Sequence, residues 1–210
     1  MLTFTNKYAR NITWSQNGEE GLLLEILNRI KLPGKKSVEI GGNNGQWCSN
    51  TAYLIRELGW SGKFIEADWD LHVAACEYYQ DIKDRVKCAC SFVTADNVNA
   101  FVPADTDVLS IDTDGIDVQI LRALQAKPAV IIVEINSGFP PDVEHESDQQ
   151  GASYLTMAKA AIEKGYFILA HTGNLVLVDS KYRKKFPEIE GDGVSNAGEY
   201  FRRDWLKQTA

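Results

Sequence analysis

Short apolar runs alternate with amphipathic stretches along most of the chain, and this alternation constrains the fold more than any other feature of the sequence. Strands and helices that take turns in this way pack as a largely parallel sheet with helices on both faces. Residues 37–40, 63–66, 86–90, 108–111 and 129–135 read as strands, the last being the most apolar. Helices are expected over 47–58, 71–79, 116–126 and 153–164. An earlier one begins near Glu19, continues through 22–30 and closes at Pro33-Gly34. The C-terminal part differs in kind. Residues 166–170 and 175–178 read as strands joined by the short loop His171-Thr172-Gly173-Asn174, the pattern of a β-hairpin. The expected architecture is α/β: a seven-stranded, mostly parallel sheet finished by an antiparallel hairpin. No repeat, low-complexity tract or linker divides the 210 residues, a length suited to a single domain. Within it, 1–36 is an N-terminal helical segment, 37–178 the core sheet, and 179–210 a C-terminal tail with a short amphipathic stretch over 200–206.

Bulk properties narrow the function classes. No apolar run approaches the ~20 residues of a membrane span, and the first thirty residues lack the charged and apolar regions of a signal peptide. The expectation is a cytoplasmic protein, and the Asn11-Ile12-Thr13 sequon carries little weight in that setting. Cys48 and Cys76 are isolated while Cys88 and Cys90 stand two apart. With no second pair at zinc-ligand spacing, they read as reduced thiols. A formal charge of −7 argues against a large nucleic-acid footprint. The one basic run, residues 181–185, reads as a solvated loop, with contact to an acidic substrate as the alternative.

The strongest local signal is Val38-Glu39-Ile40-Gly41-Gly42-Asn43-Asn44-Gly45, a buried strand that enters a glycine-rich turn ahead of a helix. Glycines there permit positive φ and close approach of a ligand to the backbone. A dinucleotide site of the G-x-G-x-x-G kind needs a glycine where Ile40 stands, so the spacing is E-x-G-x-x-x-G instead. Glu66 closes the second strand about twenty residues later, where a carboxylate can accept hydrogen bonds from both ribose hydroxyls. Ser91 and Phe92, with Cys90, end the third strand at the expected adenine edge. Beyond strands four and five stand Asp112, Asp114, Glu134 and Asn136, where open α/β sheets bind their ligands. Asp114 and Asp117 are also placed to cap the next helix. Among the histidines, His145 lies in the polar stretch 141–150 and is the expected base, His72 begins a helix, and His171 is expected to make a turn contact.

The E-x-G-x-x-x-G turn resembles the first motif of S-adenosylmethionine methyltransferases, and the terminal hairpin resembles the antiparallel close of their sheet. Five segments in order extend the likeness: Ser15-Gln16-Asn17-Gly18-Glu19-Glu20-Gly21, Glu39 to Gly45, Gly59-Trp60-Ser61-Gly62, Leu109-Ser110-Ile111-Asp112-Thr113-Asp114-Gly115 and Val133-Glu134-Ile135-Asn136. Together, over roughly residues 14–178, the chain resembles the FkbM-type methyltransferases. That resemblance implies a Rossmann-like class I methyltransferase fold and O-methylation of a hydroxyl on a sugar, glycan or other small metabolite. It implies S-adenosyl-L-methionine held by Gln16, Glu39, Gly41, Gly42, Asn43, Gly45, Glu66, Ser91, Phe92 and Asp112. Asp-Thr-Asp-Gly at the fourth strand departs from the Asp-Val-Glu-Gly of many members. Asp112, Glu134 and Asn136 also resemble the Mg²⁺ ligands of catechol O-methyltransferase, although Ile135 separates two residues that are adjacent there. The alternative to metal is proton removal by Asp114 or His145.

Two other functions fit the sequence less well. An NAD-dependent oxidoreductase is opposed by Ile40 and by the hairpin, and a non-catalytic methyltransferase-like binding protein by the intact glycines and Glu66. The Phe139-Pro140-Pro141-Asp142 run mimics the turn of amino-methylating DNA enzymes, but it follows strand five rather than strand four. Oligomeric state is left open by the sequence.

Overall fold

The computed structural model describes residues 2–204, and side chains from Phe4 onward. The elements in chain order are α1 (Leu2–Tyr8), α2 (Glu19–Ile30), β1 (Lys36–Ile40), α3 (Ala52–Arg56), β2 (Ser61–Glu66), α4 (Trp69–Tyr78), β3 (Val86–Cys90), α5 (Val98–Phe101), β4 (Val108–Ile111), α6 (Asp117–Ala123), β5 (Val130–Glu134), β6 (Glu146–Ser147), β7 (Gly151–Ala152), α7 (Tyr154–Glu163), β8 (Tyr166–His171), β9 (Asn174–Asp179) and α8 (Ala197–Tyr200). Seven strands form one sheet in the order β3-β2-β1-β4-β5-β9-β8, and β6 pairs with β7 apart from it. β1 to β5 run parallel, and β9 enters antiparallel between β5 and β8. The strand order reverses between β1 and β4, which opens a crevice at the carboxyl ends of those strands.

The central strands read as continuous apolar runs because both faces of the sheet are covered. All four residues of β4 and the first four of β5 are buried, and β8 and β9 bury nearly every residue as well. The hairpin is tighter than its sequence suggests. β8 runs to His171 and β9 begins at Asn174, so only Thr172 and Gly173 lie between the strands, with Gly173 at φ 103°. No helix among the described residues is long and apolar enough to cross a membrane.

The helix expected over 47–58 is largely replaced by an extended loop, and α3 keeps only Ala52–Arg56. Glu39 is the cause. Its carboxylate is 3% exposed and accepts from Ser49 Oγ at 2.7 Å, Thr51 Oγ1 at 2.5 Å and the Asn50 amide at 2.8 Å. A buried carboxylate needs such donors, and supplying them ties 49–51 to β1 as a loop ahead of α3, whose N-cap is Thr51. The amphipathic stretch expected over 200–206 is described only to residue 204; Trp205 and Leu206 lie outside the described residues. α1, α5 and the β6–β7 ladder carry no periodicity that marks them in the sequence.

The C-terminal tail packs into the body. Phe186 and Phe201 are fully buried, the Tyr154 hydroxyl donates to Gly193 O at 3.0 Å, and Phe201 stacks on His171 at 4.5 Å. His171 is itself fully buried rather than a turn contact at the surface. Its Nδ1 accepts from the Arg202 amide at 3.0 Å, which leaves Nε2 protonated and 2.9 Å from Ser137 Oγ. Burial, aided by the Arg202 charge, pushes the imidazole from its ordinary 6.5 down to about 3. A depressed histidine stabilises the fold above the unfolded-state value and loses that contribution as pH falls from 6.5 toward 3. The stability difference between wild type and His171→Gln is expected to shrink by about 1.4 kcal/mol per pH unit over that window. Urea unfolding at several pH values measures it, and a pH-independent difference contradicts the buried neutral ring.

Candidate functional site

The glycine turn is built as a rigid saddle. Gly41 and Gly42 both donate to Ile65 O, at 2.9 and 3.2 Å, and the Asn43 amide donates to Glu66 Oε2 at 2.8 Å. These amides are therefore already paired, and the turn presents shape rather than free donors. Gly41 has φ +74°, and a Cβ there would stand 1.6 Å from Asp112 O. Gly45, at φ +73°, lies under the turn, where a Cβ would meet the Tyr79 ring at 2.7 Å. The Tyr79 hydroxyl donates to Gly45 O at 2.6 Å and its ring stacks on Phe64 at 4.7 Å, so a small aromatic platform supports the saddle.

A cavity of about 440 Å³ lies over this turn, within the roughly 300–1,000 Å³ common for small-molecule sites. Glu39, Gly41, Gly42, Asn43, Glu66, Ser91, Phe92 and Asp112 all line it. The Glu66 carboxylate stands at its rim, where Oε1 accepts from the Ala67 and Asp68 amides at 2.7 and 2.9 Å. Leu71, Val93 and Phe92 supply an apolar wall, with Phe92 61% exposed at the mouth. Gly45 and Gln16 do not line it; Gly45 is structural, and Gln16 lies in two neighbouring cavities. Glu39 turns its charge into the 49–51 loop, and burial raises its pKa despite those hydrogen bonds.

The second cavity, about 500 Å³, opens beyond β4, β5 and the hairpin tip. Asp112 and Asp114 line both cavities, and Glu134, Asn136 and Gln16 line this one. Asp112, Asp114 and Glu134 bring one carboxylate oxygen each within 4.8 Å of the others. Asp114 sits at φ +57° and caps no helix. Asp117 takes the local work instead, accepting from the Thr113 amide and hydroxyl at 2.7 and 2.9 Å and from the Gly115 amide at 3.1 Å. Burial first, then the charges of Asp117 and Asp114, raise Asp112 to about 7. Glu134 is raised further, by burial and by Asp112, so it holds the proton of the pair and donates it to Asp112.

Two expected residues stand apart from this cluster. The Asn136 amide is spent on its own loop: Oδ1 accepts from the Gly138 amide and Nδ2 donates to Gln150 O, both at 2.9 Å. His145 lines neither cavity. Its ring stacks on Phe139 at 4.2 Å and its Nε2 lies 3.3 Å from Ser147 Oγ, while its amide is held by Ser153 and Thr156 hydroxyls.

Two acids whose role the sequence does not reveal brace the segments around the cavities. Glu19 and Glu20 read as favourable charges at a helix start, yet both are buried clamps. Glu19 accepts from Thr172 Oγ1 at 2.7 Å and Asn174 Nδ2 at 3.1 Å, which fastens the hairpin tip to α2. Glu20 accepts from the amides of Ile12, Thr13 and Trp14 and so shapes the loop that carries Gln16. A pair of adjacent acids with no basic neighbour was the available signal.

No family model matches the chain, and no curated protein matches it by sequence. Solved structures do resemble it. A S-adenosylmethionine-dependent methyltransferase from Clostridium acetobutylicum superposes with a TM-score of 0.55 at 9% identity, over 78% of this chain and 92% of that one. Monomeric WbdD gives 0.55 at 12% identity, over 86% and 44%. The [4+2]-cyclase SpnF gives 0.51 at 16% identity, over 77% and 64%, so this chain spans less than two thirds of that protein's length. The fold is that of the class I methyltransferases. Because a cyclase shares it, the chemistry must be argued from the site.

Proposed function

We propose that this protein is a S-adenosylmethionine-dependent methyltransferase, of the FkbM type, that methylates a hydroxyl of a sugar, glycan or other small metabolite. The observation that carries the reading is the shared wall of the two cavities. A nucleoside-sized cavity holding Gly41, Gly42, Glu66 and Phe92 meets a polar cavity at Asp112 and Asp114. Bound in the first, S-adenosylmethionine supplies an activated methyl group. Glu66 takes the ribose hydroxyls, and Ser91 with Phe92 the adenine. Asp112 and Asp114, which line both cavities, would face its sulfonium end. A hydroxyl entering the second cavity then meets Asp112, whose raised pKa suits it as general base. Holding nucleophile and methyl in line contributes about 7–11 kcal/mol of such a barrier. Asp112 replaces His145 in this role, and Asp114, its carboxylate within 4.8 Å of that of Asp112, helps to orient the hydroxyl. Four free thiols fit a cytoplasmic setting, and the net charge of −7 fits an acceptor other than nucleic acid.

Calorimetric titration with S-adenosylmethionine and NAD is the direct test. The first is expected to bind and the second not, since Ile40 occupies the place of the first dinucleotide glycine. Glu66→Gln is expected to weaken S-adenosylmethionine about 10–100-fold through lost charge-assisted hydrogen bonds. NAD as the tighter ligand, or an unaltered affinity in that variant with its fold intact, refutes the assignment.

A second reading is favoured by one observation. Three carboxylates that converge within 4.8 Å make an oxygen-only donor set suited to a hard cation such as Mg²⁺. Asp112, Asp114 and Glu134 would then hold the cation, with Asp114 in the place expected for Asn136, and the chemistry supplied would be a lowered pKa of a bound hydroxyl. Activity that survives exhaustive chelation removes this branch, and activity lost to chelation and restored by Mg²⁺ favours it.

A further inference from the structure

A third cavity, about 540 Å³, opens between residues 13–16 and the turn 44–48. It shares Trp47 and Cys48 with the cofactor cavity and Gln16 with the acidic one, so a ligand filling it touches both. None of its described lining residues carries a charge, in a chain of net charge −7. Trp47 is 71% exposed although its place in the turn is fixed: its amide donates to Asn44 Oδ1 at 2.7 Å, as does that of Gln46 at 3.1 Å. The Trp14 ring is set against Tyr53 at 6.2 Å, and its amide donates to Glu20 at 2.8 Å. Among the described residues the side-chain amides of Gln16 and Gln46 find no protein partner. Two pinned loops thus present an open indole and unpaired amides to one space.

This chemistry selects a ligand class. An anionic ligand finds no cation in the wall. A purely apolar one leaves the amides unpaired on burial, which costs about 1–3 kcal/mol for each stranded group. A neutral ring with one C–H face and a rim of hydroxyls satisfies both the indole and the amides.

We propose that this cleft is a saccharide subsite, in which a neutral sugar unit lies on the Trp47 indole with its hydroxyls on Gln16, Gln46 and Asn44. It rests on the methyl-transfer reading above and extends it. The unit in the cleft neighbours the one whose hydroxyl enters the acidic cavity, so the acceptor is a saccharide chain of at least two units. No bond is made or broken in the cleft, which sets register along the chain.

The test is equilibrium binding, without cofactor, of neutral gluco-, galacto- and manno-oligosaccharides of increasing length, read by tryptophan fluorescence and calorimetry. For at least one series affinity is expected to rise about tenfold from the mono- to the disaccharide. Trp47→Ala is expected to lose about tenfold in affinity and Trp47→Phe most of a smaller part. Gln46→Ala is expected to lose about threefold to tenfold and to bind S-adenosylmethionine as wild type does, because Gln46 touches neither other cavity. Absence of saccharide binding at millimolar concentration overturns the proposal. So does binding indifferent to Trp47 and Gln46, or tighter binding of anionic saccharides. The cofactor titration is read separately: saccharide binding without S-adenosylmethionine binding keeps the subsite and sinks the methyl-transfer reading, and the reverse result does the opposite.

Discussion

Gly41→Ala is expected to remove measurable cofactor binding and to lower the unfolding free energy by roughly 2–5 kcal/mol. The residue sits at φ +74°, where an L side chain costs about 1–2 kcal/mol, and its Cβ would stand 1.6 Å from Asp112 O. That contact is with backbone and cannot be relieved by a rotamer change. The Asp112 amide donates to Ile40 O at 3.0 Å, so the same backbone closes the β1–β4 ladder. Making room for a methyl group must therefore part β1 from β4 or shift Asp112, which lines both main cavities. Gly59→Ala is the internal control. Its φ is +71° with nothing within 4 Å of the added Cβ, so it incurs the conformational cost alone and leaves the cavities intact. Urea unfolding and cofactor titration of both variants measure the contrast. Equal losses in the two would show that close approach at Gly41 has no importance.

How far the sequence foretold this arrangement depends on the range of the forces involved. The bounds of the third and fourth strands, Val86–Cys90 and Val108–Ile111, were legible to the residue; the fourth is an apolar run whose burial is a local property of a covered sheet, whereas in the third, at the sheet edge, only Val86 is buried. The gathering of Glu66, Ser91, Phe92 and Asp112 was legible for a related reason. Each ends a strand, and the order of parallel strands brings those ends to one edge. The loop 41–51 was not. Its path is dictated by the Glu39 carboxylate ten to twelve residues away, and a helical pattern over 47–58 gives no hint that Ser49 and Thr51 are needed as donors. His145 failed likewise: its stacking on Phe139 depends on how 137–150 folds back, which the β6–β7 ladder determines. The buried roles of Glu19 and His171 come from contacts more than thirty residues away, with the hairpin tip and with Ser137. Asp114 was weighed as a cap and as a base, and only the left-handed backbone at φ +57° sets it toward the cavities.

Asp112→Asn is expected to lower kcat for methyl transfer by about 10²–10⁴-fold, the usual worth of a general base. The argument rests on its surroundings. Burial and the charges of Asp117 and Asp114 lift Asp112 to about 7, while the hydrogen bond from Glu134 pulls the other way. The working form is the ionised carboxylate, present above the raised value and lost as pH falls through it. The wild-type rate is therefore expected to decline on acidification with an inflection near neutrality, far above the ordinary carboxylate range. Two variants move that inflection in opposite directions. Asp114→Asn removes a repelling charge and shifts it to lower pH. Glu134→Leu removes the donated hydrogen bond and shifts it to higher pH. A cation held by the same three residues predicts something else: each of the three substitutions then weakens metal binding, and added Mg²⁺ restores the rate without such opposed shifts. The pH profiles of the three variants, at saturating cofactor with and without chelator, separate a carboxylate that takes the proton itself from one that holds an ion which would lower the pKa of the hydroxyl. An inflection near pH 4 that ignores both neighbours would leave neither account standing.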